Sequence, residues 1–185
     1  GMWYYARYEG NFLPSPKKTF NPMMLVAIVI LVPGTQFAAN FIANLTGYIR
    51  PDWLQQYNEL FETSGITDTT FVTVLYSVIL APICEELIFR GVTMRCARKA
   101  LPFALANLMQ AALFGLFHLN WIQGIYAFAL GIVLGYVCER GGSIYYSMGL
   151  HLLFNLWGTL SGFFPDPGNS VVVFVVVIVV TIISL

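Results

Sequence analysis

Residues 100–138 read ALPFALANLMQAALFGLFHLNWIQGIYAFALGIVLGYVC, 39 consecutive positions without Asp, Glu, Lys or Arg. As one helix they would run about 58 Å, roughly twice the ~30 Å hydrocarbon core of a bilayer. The stretch therefore has to be two membrane spans joined by a turn. The break falls best at His118-Leu119-Asn120-Trp121, giving helices near residues 102–117 and 122–137, with Pro102 suited to a first helical turn.

The same criterion works outward along the chain, because each charge costs roughly 2.5–3.5 kcal/mol at a helix centre. Residues 19–49 carry no charge and hold a first helix around residues 23–41, with a kink expected at Pro33-Gly34. Residues 69–84 form a second gap, whose helical pattern runs on through Glu85, Glu86 and Arg90 toward Arg98. Residues 141–165 supply a fifth span, and the valine-rich residues 171–185 a sixth, about 22 Å of helix and either partly submerged or cut short. Residues 50–68 read as an external loop with a short amphipathic surface helix at residues 52–61.

The fold expected is all-α: a polytopic transmembrane helical bundle of about six spans, one integral membrane domain over residues 1–185. Composition agrees, with 58% hydrophobic and 10% charged residues and a mean hydropathy of +0.73. Nine basic and nine acidic residues balance, so no basic field gathers nucleic acid. Cys84, Cys96 and Cys138 lie in apolar or juxtamembrane stretches, and an odd count does not fit a secreted disulfide scaffold. No signal peptide is evident, and Gly1 ahead of Met2 reads as an expression remnant. Basic residues alternate between connections: Arg7, Lys17 and Lys18 precede span one, Arg90, Arg95, Arg98 and Lys99 end span two, and Arg140 joins spans four and five. Arg50, with Asp52, Glu59, Glu62, Asp68 and Asp166, occupies the others, so a multi-pass protein of the cell membrane with both termini cytoplasmic is expected.

Against this background the ionisable residues inside spans are functional candidates. They are Glu85 and Glu86 with Arg90, then His118, then His151 with Asn155. Adjacent Glu85 and Glu86 point about 100° apart on a helix, and Glu86 is spaced i,i+4 from Arg90, which assigns those two to a pair. Glu85 is left directed into the bundle as a candidate general base for water. His151 and Asn155 share a face, as do Phe114 and His118. Two imidazoles and a carboxamide could polarise a peptide carbonyl and hold its oxyanion, or orient the water. In the alternative, Glu86 and Arg90 snorkel at a helix end while the histidines satisfy carbonyls between helices. The same set could also line a proton or ion path.

The motifs Glu85-Glu86-Leu-Ile-Phe-Arg90-Gly91, Phe114-Gly-Leu-Phe-His118 and His151-Leu-Leu-Phe-Asn155 together resemble the CPBP family, the CAAX-protease and bacteriocin-processing (Abi) intramembrane proteases. The resemblance covers roughly residues 70–160, including Gly135-Tyr-Val-Cys-Glu-Arg-Gly-Gly-Ser143 ahead of the last motif. It implies a glutamate-dependent endopeptidase acting on a membrane-associated or lipidated peptide or protein, in bacteriocin or signal-peptide maturation, self-immunity or CAAX-type processing. It implies Glu85 as the residue activating water with help from His118, His151 and Asn155 around the oxyanion, and Glu86, Arg90 and Phe114 in support. No cofactor is expected. Zinc at the same residues is the alternative, less favoured because Asn155 is a poor ligand and no HExxH is present. A small transporter and a non-catalytic immunity or scaffold protein are the competing functions. Cysteine, rhomboid-type serine and presenilin-type aspartyl mechanisms fit the residues worse.

Overall fold

A computed structural model describes residues 21–64 and 70–161, and those residues form helices joined by short turns. Helix α1 is Pro22–Ile49, capped by Asn21, whose side chain accepts from the Met23 N–H, with Pro22 in the first turn. It continues past the expected end at residue 41, because residues 42–49 contain neither charge nor proline. Pro33 lies inside it, and the Thr35 hydroxyl donates back to the Leu31 and Val32 carbonyls in the same turn.

Helix α2 (Pro51–Ser64) is the expected amphipathic segment, slightly longer at both ends. It is held against the bundle. Trp53 stacks on Trp121 with ring centroids 5.3 Å apart, Arg50 lies 4.3 Å over Trp53, and Tyr57 hydrogen-bonds Tyr126. Helix α3 (Phe71–Arg98) opens on a reciprocal Thr70–Thr73 cap and contains two wide π-helical stretches, Leu75–Leu80 and Leu87–Met94, around an α-helical Ala81–Glu86. The continuous helix through the two glutamates matches the sequence reading. Its π segments left no mark in residue spacing.

Helices α4 (Phe103–Phe117) and α5 (Trp121–Gly141) resolve the 39-residue uncharged stretch as a hairpin. His118 caps α4, Leu119 takes a left-handed φ of 53°, and Asn120 caps α5 by accepting from the Gln123 N–H. The hairpin closes through glycines: a Cβ on Gly115 would stand 2.5 Å from the Gly124 carbonyl oxygen, and one on Gly124 3.0 Å from that of Gly115. Helix α5 ends on Gly142 at φ 65°, the left-handed stop that glycine adopts without strain. Helix α6 (Ile144–Ser161) then packs back against α1, α3 and α5.

The core unites Ile28, Val32 and Ala39 of α1 with Leu130 and Leu134 of α5 and Leu150 of α6, and reaches Phe89 and Phe114. Large apolar side chains also cover the outside, among them Val29, Ile79, Leu105 and Leu116, as expected where the solvent is lipid. Helices α1, α3 and α5 are each long and apolar enough to cross a membrane. Helix α4 is shorter, and α6 carries His151 and Asn155. The expected sixth span, and the sequence-stretch ends that carry Arg7, Lys17, Lys18, Asp68 and Asp166, lie outside the described residues. At one end of the bundle Arg98 pairs with Glu139 at 3.2 Å, bringing the basic ends of α3 and α5 together.

Replacing Gly115 with Ala forces α4 and α5 apart at backbone level, and overpacking of this kind costs about 1–3 kcal/mol. The expected outcome is a lower unfolding midpoint in detergent. An unchanged midpoint would show that the hairpin does not depend on that approach.

Candidate active site

The site begins with a proline. In the π-helical turn of α3 the Ala81 N–H bonds to the Tyr76 carbonyl, five residues back. The next bond in that pattern would run from residue 82 to Ser77, but residue 82 is Pro and has no N–H. The Ser77 carbonyl is instead taken by Asn155 of α6, whose Nδ2 donates at 2.8 Å. This ties α6 to α3 about two turns before Glu85 and Glu86, and it commits one of the two Asn155 amide protons to structure.

Glu86 and Arg90 are both fully buried and pair at 2.7 Å, Nη1 to Oε1. The i,i+4 assignment from the sequence holds. Taking two charges out of water costs several kcal/mol each, so the pair needs every remaining partner it can find. Arg90 donates through Nη2 to the Gly131 carbonyl at 3.1 Å and lays its guanidinium 4.6 Å over the Phe114 ring. Glu86 Oε1 lies 3.0 Å from His151 Nδ1. A carboxylate oxygen can only accept here, so Nδ1 carries the proton and the other ring nitrogen, Nε2, faces away from Glu86. It faces Glu85, whose Oε2 is 3.6 Å off.

Adjacent glutamates that diverge on their helix thus meet the two nitrogens of one imidazole, because α6 crosses the seam between them. Their environments still differ. Glu86 is neutralised by Arg90 at zero exposure, whereas the Glu85 side chain keeps 16% of its surface.

His118 also meets Phe114. The ring of Phe114, itself buried, makes T-shaped contacts with both imidazoles, at 5.0 Å to His118 and 5.7 Å to His151. His118 Nδ1 lies 2.8 Å from the Phe114 carbonyl, so that nitrogen donates and Nε2 keeps a lone pair when the ring is neutral. The structure therefore brings together all seven residues singled out from the sequence, with one change of neighbour. The imidazole within ion-pair reach of Glu85 is that of His151, and His118 is set one aromatic ring away.

Two residues of this neighbourhood escaped the sequence reading. Asn107 and Gln110, both buried in α4, run a hydrogen-bonded chain to the Gly131 carbonyl that Arg90 also uses. Two amides three positions apart in an otherwise apolar span were the available signal, but attention to ionisable groups alone passes over them. An apolar groove of about 540 Å³, lined by Ala112, Leu116, Trp121, Ile125 and Phe128 among others, opens beside the His118 turn. Among the described residues no three His, Cys, Asp or Glu side chains converge closely enough to hold a metal ion.

The fold and site define a helical membrane protein with a carboxylate–imidazole–carboxylate cluster built into its interior. Residues 67–157 match the family model described as type II CAAX prenyl endopeptidase, Rce1-like. The chain thus carries a domain of the CAAX-protease family, a family of membrane endopeptidases, and that domain contains every residue of the cluster. No curated protein and no solved structure matches the chain.

Removing one partner from a buried ion pair strands the other charge, at a cost of about 3–5 kcal/mol. Glu86→Ala is accordingly expected to destabilise the protein heavily in a detergent unfolding titration, while Glu85→Ala, at a partly open position, changes stability by about 1 kcal/mol or less. Equal losses would contradict the division between a structural and a free carboxylate.

Proposed function

We propose that the protein is a glutamate-dependent intramembrane endopeptidase that hydrolyses a peptide bond in a membrane-associated or lipidated peptide or protein. The observation that carries the reading is the placement of His151 between two glutamates, only one of which is neutralised. Glu85 is the partly open carboxylate, and it activates water. The hydroxide oxygen attacks the scissile carbonyl carbon as the water proton passes to Glu85. His118, with Nδ1 held by the Phe114 carbonyl, offers Nε2 as an acceptor that orients that water.

The oxyanion needs donors. Because Nδ1 of His151 is committed to Glu86, Nε2 donates to the oxyanion only from the protonated ring. The second amide proton of Asn155 is the other donor. When the C–N bond breaks, Glu85 returns its proton to the leaving amine, so water is divided between the new carboxyl and amine ends. Glu86 orients His151 and Arg90 holds Glu86, the role a buried carboxylate plays behind a catalytic imidazole.

The reaction is assigned to protein groups alone. The amide that ends the third motif supports this, since the Asn155 side chain is a poor metal ligand. The apolar groove beside the His118 turn supports a substrate that carries hydrocarbon, in line with the prenyl endopeptidase family. Maturation of a bacteriocin or signal peptide, self-immunity and CAAX-type trimming are all processes such an activity could serve. The alternation of basic connections supports both termini lying in the cytoplasm.

The test is cleavage of a labelled membrane-anchored peptide library, with and without a prenyl group, by the detergent-purified protein. Glu85→Ala and His151→Ala are each expected to lower the rate by about 10²-fold or more, and a strong chelator to leave it unchanged. Loss with chelator and recovery with zinc would replace the mechanism with a metal-dependent one. Full activity in Glu85→Ala would remove the glutamate from the reaction.

A further inference from the structure

The two amides of α4 do more than fill a gap in an apolar helix. Their orientation is dictated by backbone. The Ile132 carbonyl is an acceptor, so Asn107 presents its Nδ2 to it, at 3.0 Å. That leaves Asn107 Oδ1 toward Gln110, which must answer with Nε2, at 2.7 Å, and the same Nε2 reaches the Gly131 carbonyl at 2.8 Å. Each amide is thereby locked in one of its two possible flips. The space for this chain is made by Gly135: a Cβ there would collide with the Asn107 carboxamide and stand 2.8 Å from Gln110 Nε2.

The Gly131 carbonyl is where this chain meets the site, since its oxygen also receives Arg90 Nη2. From Arg90 the contacts continue without a gap: Nη1 to Glu86 Oε1, and that same oxygen to His151 Nδ1, whose far nitrogen addresses Glu85. One carboxylate oxygen thus serves as the pivot for both the guanidinium and the imidazole. Any tilt of Arg90 is passed to the angle at which His151 meets Glu85.

Resting on the endopeptidase reading above, we propose that Gln110, seated by Asn107, is a positioning residue for peptide hydrolysis: it fixes the Gly131 carbonyl that aims Arg90, and through Arg90 and Glu86 it sets His151 against Glu85. It touches neither water nor substrate. A purely architectural role, tying α4 to α5, would leave the chemistry of His151 unaffected.

The experiment compares wild-type protein with Gln110→Met, which keeps the length and volume of the side chain and removes the donor, and with Asn107→Ser, which unhooks Gln110 while sparing its bond to Gly131. Two readouts are taken in the same detergent. One is kcat and KM on the peptide cleaved by the wild type; the other is the imidazole nitrogen and Nδ1 proton resonances of His151, assigned readily because the chain has only two histidines. Misaimed catalytic groups cost rate rather than binding, so Gln110→Met should lower kcat about tenfold with KM within about twofold, and Asn107→Ser should do the same more mildly. The His151 resonances should move in both variants.

An unchanged kcat, or a lowered kcat with His151 resonances superimposable on wild type, would overturn the proposal. A folded Asn107→Ser decides the matter if Gln110→Met does not fold. If Glu85→Ala cleaves like wild type, the endopeptidase mechanism fails on its own account. The His151 resonances then still report whether Gln110 aims the imidazole, and unmoved signals would end the proposal independently.

Discussion

A glutamate and an arginine withdrawn completely from solvent are the constraint around which this bundle is organised. Glu86 and Arg90 have no exposure, and their mutual attraction needs further donors and acceptors to offset the lost hydration. Those partners come from four other places: the Gly131 carbonyl of α5, the face of Phe114 on α4, the imidazole of His151 on α6, and beyond them the amides of α4. The ion pair therefore selects which helices surround α3 and at what rotation. In a lipid environment, where apolar contact between helices discriminates poorly, polar satisfaction and close backbone approach are what distinguish one arrangement from another.

Close approach is supplied by glycine. Gly115 and Gly124 let the backbones of α4 and α5 nearly touch, and Gly131 sits where a Cβ would press on Ala111 at 3.1 Å and on Phe114 at 3.2 Å. Phe114 occupies the space this creates. It presents its ring to the guanidinium and meets both imidazoles, so one side chain spaces three polar groups that would otherwise compete for the same partners. Removing hydrocarbon from the middle of the site would loosen the polar groups, not merely open a cavity.

The different surroundings of the two glutamates follow from the path of α6. That path is set by an irregularity in α3: Pro82 deprives the Ser77 carbonyl of its partner in the π-helical turn, and Asn155 supplies a replacement. π-helical turns widen a helix locally and recur at functional positions. Here the wide turn and the proline together create an acceptor that a neighbouring helix can recognise. Having docked there, α6 carries His151 one turn further to the seam between Glu85 and Glu86.

Read alone, the sequence determined the class of structure and singled out most of the polar residues that meet inside it. The uncharged stretch of residues 100–138 folds as the expected helical hairpin, its break falls at His118 and Asn120, and the i,i+4 spacing pairs Glu86 with Arg90. These conclusions depend on charge, length and helical periodicity, all of which are local. The neighbours across helices were not legible. That His151 stands beside Glu85 while His118 packs against Phe114, and that Asn107 and Gln110 feed into Arg90, depends on the rotation of each helix about its own axis. The α4 and α6 helices are apolar over most of their circumference, so periodicity leaves that rotation undetermined. It was decided in three dimensions, by an orphaned carbonyl, by glycines that allow backbones to touch, and by a buried ion pair that admits few ways of being completed.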